Sequence, residues 1–489
     1  MMNIAQGLRL NAQSRPSQTA IIHGDREISY QALDDTVRRT AVWLAKQGVR
    51  RGDVVGVALG DTAEHLILIY ALATLGAIML PVDCRWTVGE QERVVEHFRA
   101  KIVLLESGAQ WNDVTPAIRC DEVWRKGVQL SEPADDIEQG DRLPFLLSLS
   151  SGTTGMAKGP LVTHQQFLRR FWAHWINLGL NAQSRYISAT PLYFGGGRTF
   201  ALSQIFSGGT VCLFPPPYHP EDLVREVRLR SATALFLVPT LLRRLLALEA
   251  SDGLLMPSLT LLLSSGSPLH AEERLAIRRK ITPNFFEMYA TTEGGGVSLL
   301  TPEDQLVHGD SVGRAMFAVE VQVVDEDNRE LAPGETGVLR YRSAGCATEF
   351  FGDPVATAEM FKDGWFYPGD LGARNERGYL FLKGRQKDMI IRGGVNIYPT
   401  EIEETLLGHD GVVEAAVVGL PSVEMGEEVG AFIVKSTDLS AEELTELCRR
   451  RLAPYKVPKR IYFIDDMPKN SAGKIIKPAL IKMAANGSA

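Results

Sequence analysis

The chain has 489 residues, 45% of them hydrophobic and 23% charged, with a formal net charge of −7. That length exceeds one ordinary domain and gives room for several buried cores, so two or three domains are expected. A mildly acidic balance without a long basic run excludes a general nucleic-acid binder, and leaves any anionic ligand dependent on a local positive site.

Cys84, Cys120, Cys212, Cys346 and Cys448 are widely scattered and form no CxxC or CxxH pair. Neither a zinc site nor a disulfide framework is expected, and a reducing cytoplasm fits best. The first ten residues lack the basic segment and apolar core of a signal peptide, and the last four carry no peroxisomal or prenylation signal. The most apolar run, residues 66–80, contains Thr74 and Gly76. It is shorter than the roughly 20 residues a membrane helix needs, and reads as a buried helix running into a strand.

In chain order, the patterns predict a strand over 54–59, a helix over 63–75 and a strand over 77–82. An apolar run follows at 143–149, then a buried strand at 233–238 with a helix over 241–248. This alternation points to α/β layers with largely parallel sheets. From 311 to 342 the texture turns β-rich, with strands at 319–324 and 337–341 around a polar turn, as in a small β-barrel or sheet. A polar stretch at 384–388 suggests a boundary. Beyond it, a helix over 401–407, strands at 412–419 and 430–434, a helix over 441–452 and a strand at 460–464 make a compact α+β unit of about a hundred residues.

The segment SSGTTGMAK at 150–158 combines hydroxyls and glycines with a lysine. Glycines let backbone N–H groups fold around an anion, and the hydroxyls and ammonium add donors and charge. It is not a Walker A loop, since Ala157 and Gly159 break that pattern, and a plain Ser/Gly turn is an equal reading of the segment alone. Tyr289-Ala290-Thr291-Thr292-Glu293 places a ring for stacking, hydroxyls for phosphate and a carboxylate for Mg²⁺ in one short segment. Further on come GWFYPGD ending at Asp370, GRQKD at 384–388, GGVNIYP from Gly393, and PKNSAGK ending at Lys474.

In this order these segments resemble the ANL superfamily of adenylating enzymes: acyl-CoA synthetases, adenylation domains of peptide synthetases, and luciferases. The resemblance runs from about residue 5 to 483. It implies a large N-terminal domain over 1–385, built of doubly wound α/β subdomains plus a small β-barrel. A hinge at 386–388 and a small mobile α+β domain over 389–489 would follow. It also implies that Ser151, Thr153, Thr154 and Lys158 bind phosphate, with Ala157 where most relatives have proline. Gly266, Ser267 and Pro268 resemble the adenine-binding turn, and Tyr289 would pack on adenine. Thr292 would touch the α-phosphate and Glu293 would hold Mg²⁺. Asp370 would bind the ribose, with Pro368 in place of the usual threonine, and Arg385 would assist there. Lys387 stands at the hinge position, Lys474 matches the lysine of the adenylation step, and Gly393 and Gly394 belong to the loop presented to the thiol.

The expected reaction is attack of a carboxylate on the α-phosphorus of ATP, releasing pyrophosphate, then transfer of the acyl group from AMP to coenzyme A. Positioning and charge neutralisation would dominate. The acid pocket is expected around Phe194, Gly195, Gly197, Arg198, Gly294 and Gly295. Phe194 replaces a histidine common in relatives, which suggests an apolar wall and a close backbone approach suited to an aryl or medium-chain alkyl acid. Arg198 facing inward could pair with a second carboxylate or polar substituent; facing outward it is an ordinary surface charge, the commoner outcome. No acidic residue stands at 193–203 to hold an amine, which argues against amino acids. The alternatives are a stand-alone enzyme loading a carrier-protein phosphopantetheine, and a non-catalytic nucleotide-binding homologue. Arg449, Arg450 and Arg451 could meet the CoA phosphates, although a solvated helix face is the commoner reading. The assembly is expected to be a monomer or homodimer, with no nucleic-acid partner and no membrane span.

Overall fold

The structure is a computed structural model that describes residues 2–112, 114–134, 140–149, 157–249, 253–267, 269–469 and 474–486. The chain forms two compact units, one of Met1–Val321 with Tyr341–Phe366, the other of Gln322–Arg340 with Tyr367–Ala489.

The first unit holds two largely parallel sheets. One has nine strands, in the order Arg314–Ala315, Gly295–Leu300, Phe285–Thr291, Leu261–Ser264, Ala234–Leu237, Arg185–Ser188, Thr210–Leu213, Thr19–His23 and Arg26–Ser29. Its five central pairs are parallel, while the two pairs at the Arg314–Ala315 edge and the one at the Arg26–Ser29 edge are antiparallel. The other has six, in the order Ala117–Cys120, Ile102–Glu106, Val54–Ala58, Ile78–Pro81, Pro144–Leu147 and Leu161–Thr163. The interior strands are buried throughout, with patterns such as Val54–Ala58, which explains why they read as unbroken apolar runs rather than alternating ones.

The apolar run at 66–80 resolves as expected. Helix Ala63–Leu75 starts where the Thr62 side chain accepts from the His65 N–H, and ends at Gly76 in the left-handed conformation. It is buried on nearly every face, then leads into the buried strand Ile78–Pro81. No helix among the described residues is long and apolar enough to cross a membrane. All five cysteines are free thiols.

In the second unit, strands Asp370–Arg374 and Leu380–Arg385 pair antiparallel, and Thr336–Val338 runs beside the former. The remainder is a long hairpin, Val412–Ser422 against Gly426–Lys435, whose second strand pairs on its other edge with Ile390–Arg392 at Gly426 and, in parallel, with Arg460–Phe463 over Gly430–Ile433; Val395–Ile397 pairs in turn with Ile390–Arg392. Strand alternation splits its apolar residues into two cores. Ala415, Val417, Ala431 and Ile433 face helices Pro399–Leu407 and Ala441–Arg451, while Ala416, Val418 and Phe432 pack with Met467 and Leu480. This is the α+β texture expected after residue 388.

Candidate active site

Three of the segments singled out in the sequence begin where strands of the nine-stranded sheet end. Pro191 to Arg198 follows Arg185–Ser188, Gly266 follows Leu261–Ser264, and Thr292 follows Phe285–Thr291. The carboxyl ends of parallel strands are where open α/β sheets place their ligands. Of the phosphate-loop residues, Ser151, Thr153 and Thr154 lie outside the described residues, as does Pro268.

Lys158, just past that loop, sits with its ammonium 5.3 Å from the Phe350 ring centre and 3.5 Å from the Met360 sulfur. Its neighbour Gly159 is required by close packing, because a Cβ there would lie 2.5 Å from the Phe98 ring. Gly266 adopts a φ of +107° in an exposed turn with open space around it, so its glycine serves the backbone conformation rather than packing. Ser267 beside it is exposed.

The Tyr289-to-Gly295 segment is the most constrained part of the site. The strand pairing slips between Tyr289 and Ala290, a bulge of the kind that redirects side chains. The Thr291 hydroxyl meets the Tyr341 hydroxyl and accepts the Gly294 N–H at 3.0 Å. Gly294 can only be glycine, since a Cβ there would lie 2.1 Å from the Tyr341 hydroxyl oxygen. Gly295 has a φ of +74° and lies over the aliphatic part of Arg170. Glu293 itself is buried, whereas Tyr289 and Thr292 are half-buried.

Arg170, which the sequence reading did not single out, holds this turn from behind. From helix His164–Leu178 its guanidinium donates to the carbonyls of Gly345 (2.9 Å), Thr292 (3.3 Å) and Glu293 (2.5 Å). The Ala347 N–H donates to the same Glu293 carbonyl at 2.9 Å. Burial pushes the Arg170 pKa down, opposed by nearby Cys346, Tyr341 and Glu293. An Arg-Arg doublet in a helix gives no sequence signal of burial; only the helix phase, with Phe167, Phe171 and His174 also inward, pointed to it.

The acid-pocket segment differs from expectation in two respects. Phe194 is the N-cap of helix Gly195–Ser207 and is half-buried. Of its glycines, Gly195 alone is open. Gly196 faces the Phe236 ring, and a Cβ on Gly197 would stand 2.3 Å from the Thr190 carbonyl oxygen. The close backbone approach is thus internal packing at Gly196 and Gly197. Arg198 is not a surface charge: it is 1% exposed, with Nη1 donating to the carbonyls of Leu192 (3.0 Å) and Tyr193 (3.2 Å). The helix turns inward there because Phe200 and Ala201 belong to the core and carry Arg198 with them. The same Leu192-to-Phe194 stretch is fixed from outside. Its Leu192 N–H donates to Asp61 at 2.6 Å, and Arg85, paired to Asp83, lies over the Tyr193 and Phe194 rings at 5.1 and 5.6 Å.

In the second unit, Asp370 and Arg385 are directly paired across neighbouring strands, and Arg385 Nε donates to Asp370 Oδ1 at 2.7 Å. Asp370 is buried; Arg385 is exposed and its Nη1 also donates to the Pro368 carbonyl at 3.2 Å. Lys387 lies in the exposed 3₁₀ turn Gln386–Asp388. Gly393 and Gly394, at φ of +56° and +81°, form the two-residue connection between paired Arg392 and Val395, the hairpin turn that demands left-handed residues. Lys474 is exposed, next to the bridge that joins Lys469 to Ile475. Arg449, Arg450 and Arg451 are exposed at the end of helix Ala441–Arg451, where Arg449 pairs with Glu446 at 3.6 Å. Among the described residues no group of three or more His, Cys, Asp or Glu could hold a metal by itself.

Known proteins resemble the chain in sequence and in fold over nearly its whole length. Residues 8–351 match the AMP-binding enzyme family and residues 401–474 match the AMP-binding enzyme C-terminal domain. The chain is 29% identical to a 2-succinylbenzoate–CoA ligase of Bacillus licheniformis, over 98% of this chain and 100% of that one. It is 31% identical to a long-chain-fatty-acid–CoA ligase of Mycobacterium tuberculosis, over 98% of each. Its fold superposes on the Bacillus subtilis O-succinylbenzoate coenzyme A synthetase in complex with ATP and a magnesium ion, with a TM-score of 0.88, 27% identity, and coverage of 97% and 98%. The chain therefore belongs to the AMP-binding enzyme family, within the ANL superfamily of adenylating enzymes.

Proposed function

We propose that the protein is an ATP-dependent carboxylic acid–CoA ligase of the cytoplasm, working through an acyl-AMP on an aryl or medium-chain alkyl acid. The observation that supports this best is the gathering of Phe194, Gly266 and the Thr292–Glu293 turn at the carboxyl ends of strands in one parallel sheet. In the first half-reaction a substrate carboxylate oxygen attacks the α-phosphorus of ATP, and pyrophosphate leaves. Thr292, on a turn stiffened by Arg170, would donate to an α-phosphate oxygen, and Lys158 would offset phosphate charge.

The Glu293 carboxylate and the Thr292 hydroxyl are hard oxygen donors, and among the described residues no three-ligand protein cluster accompanies them. That set fits Mg²⁺, which keeps water and substrate phosphates as its other ligands. Bound there, Mg²⁺ would neutralise phosphate charge. Asp370, oriented by Arg385, would accept hydrogen bonds from the ribose hydroxyls, and Tyr289 would stack on adenine. Lys474 would serve the adenylation step, with Lys387 as a hinge residue. In the second half-reaction the thiol attacks the acyl carbonyl and AMP leaves, with Gly393 and Gly394 belonging to the loop that the family resemblance assigns to the thiol step.

Acid-dependent exchange of labelled pyrophosphate into ATP tests the first step, and CoA-dependent release of AMP tests the second. Exchange without CoA-dependent release, together with loading of a phosphopantetheinylated carrier protein, would replace the CoA-ligase reading by carrier loading. Absence of exchange with every acid would remove the enzyme reading altogether.

A further inference from the structure

Arg198 is buried with no acidic partner. It makes no ion pair among the described residues, and only its Nη1 is engaged, by the Leu192 and Tyr193 carbonyls. Among the described residues, the fully buried Nε has no hydrogen-bond partner and Nη2 makes no bond. The Nε–Nη2 edge is the side of a guanidinium that grips a carboxylate through two parallel N–H bonds. One side of the fork is thus tied down, and the side suited to an anion is left without a partner among the described residues.

Its surroundings deepen the deficit. The other charge bearing on it is the buried cation Arg170, and burial together with Arg170 pushes the Arg198 pKa down to about 9. His65 nearby is held neutral, its pKa pushed down to about 4 by burial first, with the Arg198 charge contributing. The acid that meets this segment from ahead of helix Ala63–Leu75, Asp61, accepts from the Leu192 N–H. Buried arginines are ordinarily paired, and an unpaired edge in the interior calls for a partner from outside the chain.

We propose that Arg198 receives the second carboxylate of a dicarboxylic acid, so that the preferred substrate carries one carboxylate for adenylation and a distal one for the Nε–Nη2 edge. This rests on the ligase reading and on the placement of the Phe194-to-Arg198 segment at the sheet end where the Thr292–Glu293 turn also lies. Arg170 links the two, since its side chain carries that turn and its charge is felt by Arg198. The carboxylate that reacts and the one that anchors would be distinguished by position: only the anchored end meets a guanidinium fork, which holds it away from the α-phosphorus.

The test is a set of matched pairs, alkanoates against α,ω-dicarboxylates of equal chain length and benzoates against benzoates bearing a second carboxylate, read by pyrophosphate release. The wild-type enzyme should give its highest kcat/KM with a dicarboxylate. In Arg198→Met the dicarboxylate-to-monocarboxylate ratio of kcat/KM should fall by about 10²- to 10³-fold. Arg198→Lys keeps the charge without the fork and should lose about tenfold. A wild-type preference for the monocarboxylate of every pair would overturn the inference while leaving the ligase intact, as would an unchanged ratio in Arg198→Met, the result expected if the fork merely holds water. The wild-type comparison stands even if a variant does not fold. No release with any acid would sink the ligase reading and this inference with it.

Discussion

Replacing Arg170 by methionine separates the support of the Thr292–Glu293 turn from its chemistry. The side chain is 6% exposed and donates to three carbonyls, those of Gly345, Thr292 and Glu293. Leaving buried carbonyls without donors costs about 1–3 kcal/mol each, and removing the cation returns only part of that, because its burial is already offset by the carbonyls and by the Glu293 charge nearby. The Glu293 carbonyl keeps the Ala347 N–H, so two carbonyls are orphaned outright. A net loss of about 3 kcal/mol results, a large share of the roughly 5–15 kcal/mol of an ordinary fold. Urea unfolding with and without Mg·ATP measures it. The second reading is the Mg²⁺ concentration needed for half-maximal pyrophosphate exchange, which should rise several-fold as Glu293 loses its fixed position. A stability change below about 0.5 kcal/mol, the scale of an ordinary surface substitution, would refute the energetic argument. A destabilised variant with unchanged Mg²⁺ demand would refute the positioning argument.

Gly294→Ala should lower stability by about 1–3 kcal/mol through overpacking against Tyr341, with exchange activity falling further than stability; denaturant titration and exchange on one sample show it. His164 is fully buried with neither ring nitrogen bonded, and burial pushes its pKa down to about 3. Its unfolded form binds a proton below about pH 6.5 that the folded form refuses until about pH 3, so stability falls as pH drops through that window. His164→Leu should leave stability at pH 7 equal or higher and reduce acid sensitivity between pH 6 and 4, read from unfolding midpoints across pH. Lys387→Pro should spare acyl-AMP formation and slow thioester formation by roughly tenfold or more, as expected of a conformational step; equal loss of both in single-turnover assays would remove the hinge role.

What could be read from the sequence was whatever local chemistry dictates. Strands such as Val54–Ala58 and helix Ala63–Leu75 appeared within a residue or so, because unbroken apolar runs, a Thr cap and a terminal Gly are local signals. Asp370 and Arg385, fifteen positions apart, were each picked for one role, and the strand register Asp370↔Arg385 puts them side by side. Buried cations escaped. Arg170 and Arg198 are indistinguishable in sequence from solvated arginines, because their burial is set by which helix face the rest of the fold covers. The glycine run at 195–197 was read as a close backbone approach to the acid, but Gly196 and Gly197 answer to Phe236 and to the Thr190 and Pro191 carbonyls, contacts made across the fold and invisible along the chain.

The Gly393–Gly394 turn has a consequence for how a partner molecule can be recognised there. Both residues are exposed, and around Gly394 nothing stands within 4 Å of the place a Cβ would occupy. At this tip the protein shows the outside world bare peptide. Whatever docks against it must be read by the shape and dipoles of the main chain, and mutation cannot tune that reading without first forcing a side chain into a left-handed conformation. The turn is therefore a fixed point, around which specificity has to be varied by residues elsewhere.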